Sequence, residues 1–477
     1  MKTLILTLIL LSSNLYSQSN SKKFNENNFE VKAKVDKRVE LLTIIARLAE
    51  FDEYCSTPLI KYGRDIDDFF KGHKNHKVVS IFKQLREEQG LGYDAVMSMA
   101  VHLNPPPTLT PKVEITIDVL DNRWGNNEII QEFLQQLQDF YNTTNCELFF
   151  KQQSQLYTTS EQRFQTLLNK VDFGWYQKFY GELPNGTFNL FIRLHSKGSY
   201  GASVTLPNGS KDIYAILSTS EADETGLPVY GENRLGTIIH EFNHSFINHL
   251  FFQNIAKFET SGKIIFDKVS GQLKKFGYGN WESTVIESLA NAAEARYLFD
   301  AETDDKLARK NLLIDQHRGF YWIDELVDLL GAYNQNRNIY PTFSSFFPFF
   351  IGYFNDLANR IDDELVEFDY LRPHILALEP FDNNFQSVSP KTKELKLVFD
   401  KPLKNIPENL LDKIKKGEHQ LPTIKSFDLN STRTILYLEI ELEPNQQYNF
   451  NLPSVLFVSD RGYQLNDFDV SFKTANN

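Results

Sequence analysis

The chain has 477 residues, a formal net charge of −12 and a sequence pI near 5.4. This negative charge disfavours long-range attraction to nucleic acid or to anionic membrane surfaces. The length exceeds what a single modest core supports, so we expect two or three domains. Cys55 and Cys146 are the two cysteines of the chain. They are too few for a structural zinc site of their own, and the sequence leaves open whether they form a disulfide.

The first residues have the features of a secretory signal peptide. Lys2 is followed by an apolar run from Leu4 to Leu11 and by the small residue Ser17. The run is too short to span a bilayer, and no later stretch reaches the length of about 18 apolar residues that a span needs. We therefore predict a signal peptide at 1–17, a flexible leader at 18–34, and a secreted protein, periplasmic or extracellular, without a membrane span.

Apolar periodicity predicts a largely helical region at 35–370, whose N-terminal part, about 35–110, is helical throughout. Asp36 is the expected N-cap of the first helix. The next elements are, in order, helices at 78–89 and 94–103, a strand at 113–120, a helix at 128–141, strands at 188–194 and 213–218, and helices at 236–249 and 285–299.

The helix at 236–249 contains His240-Glu241-Phe-Asn-His244, an H-E-x-x-H pattern. Side chains four residues apart lie one turn apart on the same helix face, so His240 and His244 can bind one ion. Zinc accepts nitrogen ligands at roughly 2.0–2.1 Å and leaves a position for water beside three protein ligands. Glu241 points away from the ligand pair and is the expected general base. If these three side chains were only structural, three polar groups would be buried without a partner, at a cost of several kcal/mol.

The third zinc ligand is expected on a later helix. A metzincin would carry a Gly three residues after His244, but Ile247 stands there and His249 falls one position short of the metzincin His. In gluzincins the third ligand is a Glu from a later helix, and the chain offers three, which are Glu282, Glu287 and Glu294. We prefer Glu287, with small alanines beside it for close packing.

Two further roles around the metal each have more than one candidate residue. Asn291 and Glu294 are candidates to orient the ligand imidazoles from the second helix. A hydrolytic site also needs a donor for the oxyanion. The candidates by residue type are Tyr200, Tyr230, Tyr340 and His195.

Composition changes near Leu371-Arg-Pro373, and residues 371–477 alternate as short strands separated by turns. We place a domain boundary there. The predicted fold class is therefore α+β: a mostly helical zincin-like domain with a small sheet, followed by an all-β sandwich.

Three segments of the first domain resemble a family of exported bacterial proteins known as domain of unknown function 4932. The matching residues are 35–49, 93–103 and 239–248. The resemblance implies a gluzincin-like metallopeptidase with His240 and His244 as metal ligands and Glu241 as the base. Residues 372–477 look like a bacterial Ig-like domain, on the pattern of residues 378–390 followed by 395–402.

The sequence thus predicts a secreted zinc metallopeptidase that acts on protein or peptide substrates, with Zn²⁺ held by His240, His244 and Glu287. Two alternatives remain. One is a non-catalytic binding or adhesion protein on a zincin scaffold with an Ig-like module. The other is a zinc amidase acting on a non-protein substrate. Neither the substrate nor the oligomeric state follows from the sequence.

Overall fold

The computed structural model describes residues 31–195, 198–301, 305–408, 410–416 and 421–476. The predicted signal peptide and most of the predicted leader lie outside these residues. The described chain has a mixed α+β fold in which helices predominate, several small sheets are present, and strands occupy the C-terminal part.

The N-terminal part is helical, as its apolar spacing predicts. The Asp36 carboxylate accepts the backbone N–H of Arg38 at 3.0 Å and so caps the first long helix, which confirms the predicted N-cap. A short strand, β1 (Ala33–Val35), precedes it. The helices that follow are α1 (Lys37–Leu48), α2 (Asp52–Cys55), α3 (Ile60–Phe70), α4 (Lys77–Gln89), α5 (Tyr93–His102), α6 (Asn127–Thr143), α7 (Cys146–Gln152), α8 (Ser154–Leu168) and α9 (Phe173–Tyr180).

The strand predicted at 113–120 is wrong, because this segment forms turns and irregular backbone. Its backbone donors are satisfied locally: the N–H groups of Val119 and Leu120 both donate to the Thr116 carbonyl, each at 3.0 Å. The Ile117 N–H donates to Asn127 Oδ1 at 2.8 Å. Alternating apolar residues therefore occur here without a neighbouring strand.

A four-stranded sheet consists of β1 and three strands that follow α9 in the chain. Its other strands are β2 (Thr187–Arg193), β3 (Tyr200–Thr205) and β4 (Lys211–Ser218), in the order β1-β2-β4-β3. The first three neighbours are parallel, whereas β3 runs antiparallel to β4 and forms an edge. Because Ala33 pairs with Leu190, residues 33 and 34 of the predicted leader belong to this sheet.

A two-stranded hairpin, β5 (Glu221–Ala222) and β6 (Pro228–Val229), leads into six long helices. These are α10 (Leu235–Gln253), α11 (Ile255–Leu273), α12 (Trp281–Asp300), α13 (Asp305–Arg318), α14 (Ile323–Gln335) and α15 (Phe343–Leu371). None of the helices in the described part of the chain is long and apolar enough to cross a membrane.

The C-terminal strands form two antiparallel sheets. The elements are β7 (Ile375–Glu379), β8 (Glu394–Phe399), the short helix α16 (Leu410–Lys413), β9 (Lys415–Lys416), β10 (Thr423–Leu429), β11 (Ile435–Glu441), β12 (Gln447–Leu452) and β13 (Phe468–Lys473). The strand orders are β10-β11-β8-β7 and β13-β12-β9. Their inward-facing residues, among them Leu395, Leu438 and Phe450, form one buried cluster drawn wholly from residues 378–472.

Contacts divide the chain into two compact units. One consists of the described residues of Met1–Ile255, Arg296–Thr303 and Leu329–Phe349, and it contains the four-stranded sheet. The other consists of the described residues of Ala256–Ala295, Asp304–Asp328 and Phe350–Asn477, and it contains both C-terminal sheets.

The two cysteines, whose pairing the sequence left open, are not joined. Cys55 is exposed, Cys146 is buried, and both thiols are free. Burial is the main cause that raises the pKa of the Cys146 thiol to about 12, so this group is an inert part of the core.

A buried carboxyl group links α1 to the end of β2. Glu40 is fully buried; its Oε2 accepts the Tyr62 hydroxyl at 2.7 Å, and its Oε1 accepts the Leu194 backbone N–H at 3.0 Å. Burial raises the pKa of Glu40 to about 7, although both hydrogen bonds oppose the shift. Removal from water thus outweighs the hydrogen bonds, and the neutral acid predominates in this position below about pH 7.

We expect Glu40→Gln to stabilise the protein in alkali but not in acid. The pKa of Glu40 is higher in the folded protein than in the unfolded chain, so the stability it contributes is complete below the unfolded value. It is lost as pH rises through about 7. The variant should gain about 3 kcal/mol of unfolding free energy at pH 8 and little at pH 4. Urea denaturation at pH 4 and at pH 8 tests this, with Glu224→Gln as a control at an exposed site. The prediction is contradicted if the unfolding free energy of Glu40→Gln changes with pH in the same way as that of the wild type and of the control.

Candidate metal centre

The helix that carries the H-E-x-x-H pattern, α10, packs on α9 through aromatic rings. Phe246 stacks on Tyr180 with ring centroids 4.1 Å apart and planes 9° apart, and Phe242 meets Tyr176 edge to face at 4.4 Å. Phe242, Phe246 and both tyrosine rings are buried. Such pairs contribute about 0.5–1.5 kcal/mol each beyond the area they bury. The apolar face of α10 is therefore committed to α9, which leaves the histidine face for chemistry.

Three hydrogen bonds fix the position of α10 more narrowly than packing does. The Tyr176 hydroxyl donates to the Ile239 carbonyl at 3.1 Å, and the Tyr180 hydroxyl donates to Asn243 Oδ1 at 2.9 Å. From the loop before β2, the Asn185 N–H donates to the Ser245 carbonyl at 2.8 Å. Because these directional bonds act along two turns, rotation of α10 about its axis would break them.

The two histidines of the pattern face each other. Their ring centroids are 4.8 Å apart, their planes stand at 83°, and their Nε2 atoms are 3.1 Å apart. His244 Nδ1 lies 3.0 Å from Asn248 Oδ1. Two nitrogen ligands at zinc's bond length and a tetrahedral angle would stand about 3.3 Å apart. The rings are therefore arranged as a pair of zinc ligands requires.

Glu287 of α12 offers a third potential ligand atom. The ligating atoms of His240, His244 and Glu287 all lie within 4.8 Å of one another, and all three residues are partly exposed. Among the described residues, this is the set of His, Cys, Asp and Glu side chains that can hold a metal. Two imidazoles and one carboxylate match the donor set of catalytic zinc, so the residues fit the ion that the sequence predicts.

The other acidic residues of α12 have different surroundings. Glu294 is buried, and its Oε1 accepts the Asn311 side-chain N–H at 2.7 Å. Asn291 is also buried, and its Nδ2 has no hydrogen-bond partner among the described residues. Glu282 lies in the first turn of the helix. Of the three glutamates considered from sequence, the described structure brings Glu287 to the histidine pair.

His249 lies on the same helix as the ligand pair but is not in the ligand set. Its pKa is lowered, first by burial and then by the charge of Lys211. His249 is partly buried and stands outside the candidate metal set. It is therefore a natural control for the effects of removing a histidine.

Glu241, the predicted general base, lies against the edge strand β3. A Cβ added at Gly201 would come 3.4 Å from Glu241 Oε2. Along β3, Gly201, Ser203 and Thr205 are exposed, whereas their neighbours are partly or fully buried. The Glu241 carboxylate therefore lies close to Gly201, on the face of β3 that also carries Ser203 and Thr205.

The residues considered as oxyanion donors have other partners. Tyr200, next to Gly201 on β3 and so on the opposite face, packs on the Arg193 guanidinium at 4.6 Å. The Tyr230 and Thr219 hydroxyls are 3.1 Å apart. The Tyr340 ring packs on Phe346, and its buried hydroxyl has no hydrogen-bond partner among the described residues. His195 Nε2 lies 3.1 Å from Arg47 Nη1, and burial lowers the pKa of His195 to about 4. These contacts give each of the four side chains a structural role.

Sequence reasoning missed two residues of the site. Asn248 follows His244 by four positions, the same spacing that joins His240 to His244, so helical periodicity could have revealed it. Gly201 could not have been found in this way. Its closeness to Glu241 depends on how β3 pairs with β4, which no local pattern encodes.

Comparison with solved structures gives weak likenesses. The chain is similar to surface layer protein SbsC, domains 1–6, with 12% identity and a TM-score of 0.18 over 51% of this chain and 33% of that one. It is similar to the N-terminal part of the bacterial S-layer protein SbsC, with 13% identity and a TM-score of 0.17 over 51% of this chain and 58% of that one. The chain thus spans a third to about three fifths of these proteins, and scores this low support no conclusion.

Comparison with curated proteins found no match. The comparison with protein families did: the profile described as domain of unknown function (DUF4932) matches residues 31–352. This match includes the whole four-stranded sheet and both helices that carry the His-His-Glu set. The chain therefore belongs to the DUF4932 family, the family that its sequence resembles.

Proposed function

We propose that this protein is a secreted, zinc-dependent metallopeptidase in which His240, His244 and Glu287 hold the metal and Glu241 is the general base. The observation that carries the proposal is the convergence of three ligand atoms within 4.8 Å, contributed by an H-E-x-x-H helix and a later helix. A family of unknown function neither supports nor opposes this chemistry. The donor set and the position of Glu241 are what support it.

Each side chain has one task in the proposed reaction. When bound, zinc supplies Lewis acidity that polarises the scissile carbonyl and makes a water molecule more acidic. Glu241 adjoins His240 in sequence but is absent from the ligand set, so its carboxylate is available for proton transfer. It takes a proton from the attacking water and returns it to the departing amine.

The edge strand β3 supports a peptide as the substrate. Among the described strands β3 pairs with β4 alone, so its other edge can offer backbone donors and acceptors to an extended chain. The missing side chain of Gly201 leaves room beside Glu241. An antiparallel edge strand beside an H-E-x-x-H helix is the arrangement expected of a zincin-like domain. The strands after 371, with a buried cluster of their own, are consistent with an Ig-like sandwich as a second module.

Zinc binding should depend on the three proposed ligands and on no neighbour of the same type. We expect the wild type to bind one Zn²⁺, and His244→Ala and Glu287→Gln to weaken binding by about 100-fold or more. The first removes the imidazole donor, and the second replaces an anionic carboxylate with a neutral amide that is a much weaker ligand. His249→Ala, on the same helix as His244, and Glu282→Gln, on the same helix as Glu287, should bind as tightly as the wild type. Competition with a chromogenic chelator measures this. Equal weakening by ligand and control variants would contradict the assignment.

Glu241→Gln should separate metal binding from catalysis. The amide keeps the shape of the side chain but cannot take a proton, so we expect zinc retention with a loss of kcat of at least 1,000-fold. Cleavage of a mixed peptide library, followed by mass spectrometry, measures the effect. Zinc binding without cleavage by the wild type would favour a binding protein, and release of products other than peptides would favour an amidase.

Gly201→Val should impair catalysis while leaving zinc binding intact. A Cβ at this position makes ordinary contact with Glu241, and the added methyl groups of valine would occupy the space beside the carboxylate. We expect kcat/KM to fall by at least 10-fold, about 1.4 kcal/mol of transition-state stabilisation. Gly271→Val is the matched control, since a Cβ there meets nothing within 4 Å. Unchanged kcat/KM in the Gly201 variant would show that catalysis does not use the space beside Glu241 at this residue.

A further inference from the structure

The side chain of Asn248 lies behind the proposed zinc ligand His244. Its Oδ1 is 3.0 Å from His244 Nδ1, on the same helix and one turn further along. An amide oxygen only accepts hydrogen bonds, so the contact requires His244 Nδ1 to carry the hydrogen. The lone pair of the ring is then on Nε2, the atom that lies 3.1 Å from His240 Nε2.

The neutral ring of His244 can carry its hydrogen on Nδ1 or on Nε2, and this choice decides whether Nε2 can bind a metal. With the hydrogen on Nδ1, Nε2 offers its lone pair toward His240 and Glu287. With the hydrogen on Nε2, the same atom offers an N–H in the place where a cation would be bound. The contact between Nε2 atoms does not select a form, because either ring can donate to the other.

We propose that Asn248 is a positioning residue that holds His244 in its metal-binding tautomer. The inference rests on the proposed function, because it concerns the same metal. Orienting the His244 imidazole is thereby assigned to a residue of α10. From the sequence, the candidates for this task were Asn291 and Glu294 of α12. Because Asn248 and His244 share one rigid helix, the acceptor is in place before any metal arrives.

The helix is held in a way that keeps this pair aligned. Ser245 and Phe246, which lie between His244 and Asn248 in sequence, are bound respectively by the Asn185 N–H and by the Tyr180 ring. Both are buried, whereas His244 and Asn248 are partly exposed. The backbone between the two side chains is therefore fixed from the buried side.

The test compares three substitutions at Asn248 with one control. Asn248→Leu removes the acceptor at similar size, Asn248→Ser withdraws it from reach, and Asn248→Asp keeps an acceptor oxygen. We expect zinc affinity to fall by about 10–100-fold in the first two and to stay within about 3-fold of the wild type, or to rise, in the third. Gln253→Leu, the same chemical change at an exposed position of α10, should leave affinity unchanged. Circular dichroism verifies that each variant is folded.

A second measurement reads the tautomer without zinc. Nitrogen-15 NMR of the metal-free protein should show His244 with its hydrogen on Nδ1 in the wild type and in Asn248→Asp, and partly or wholly on Nε2 in Asn248→Leu and Asn248→Ser. Equal zinc affinity and an unchanged tautomer in Asn248→Leu would overturn the assignment of Asn248 alone. Failure of the wild type to bind zinc would instead overturn the proposed function, and the tautomer would still decide the role of Asn248.

Discussion

The attachment of α10 to α9 is the constraint on which the candidate site depends. Stacked rings and directional hydrogen bonds hold one side of α10, so the opposite side presents His240 and His244 in a fixed orientation. A metal site tolerates only small errors in ligand position, and a loosely packed helix would not meet that tolerance. The aromatic residues beside the histidines in sequence are thus as much a part of the site as the histidines themselves.

The second constraint is the reversed direction of β3. If β3 continued the parallel pattern of its neighbours, a crossover connection would be needed and the short loop after Arg193 could not supply it. Running antiparallel, β3 is an edge of the sheet among the described strands, and its Gly201 lies close to Glu241. The direction of β3 therefore determines which backbone lies next to the proposed base.

Much of this arrangement follows from the sequence, because its signals are local. Residue spacing over short stretches predicts the Asp36 cap and the helix that carries His240 and His244. It also predicts the two strands around residues 190 and 215. Local signals also produced the main error. The alternation at 113–120 resembles a strand, but a strand requires a partner, and the backbone there bonds to its own turns instead.

What the sequence could not supply were relations between distant segments. The strand β1 forms because Ala33 pairs with Leu190, which lies far along the chain. Composition alone predicts that residues 33 and 34 of this strand belong to the leader. The small alanines of its helix already favour Glu287 in the sequence, whereas Gly201 gives no signal at all until β3 is placed.

The buried Glu40 takes up a proton when the chain folds. Between the ordinary pKa of a glutamate and the value of about 7 that burial produces, the unfolded chain carries this group ionised and the folded chain carries it neutral. Burial has the opposite effect at His195, whose lowered pKa makes the imidazole lose its proton on folding in part of the same interval. The heat that calorimetry measures therefore contains a buffer-dependent part, set by the difference between the protons taken up and the protons released.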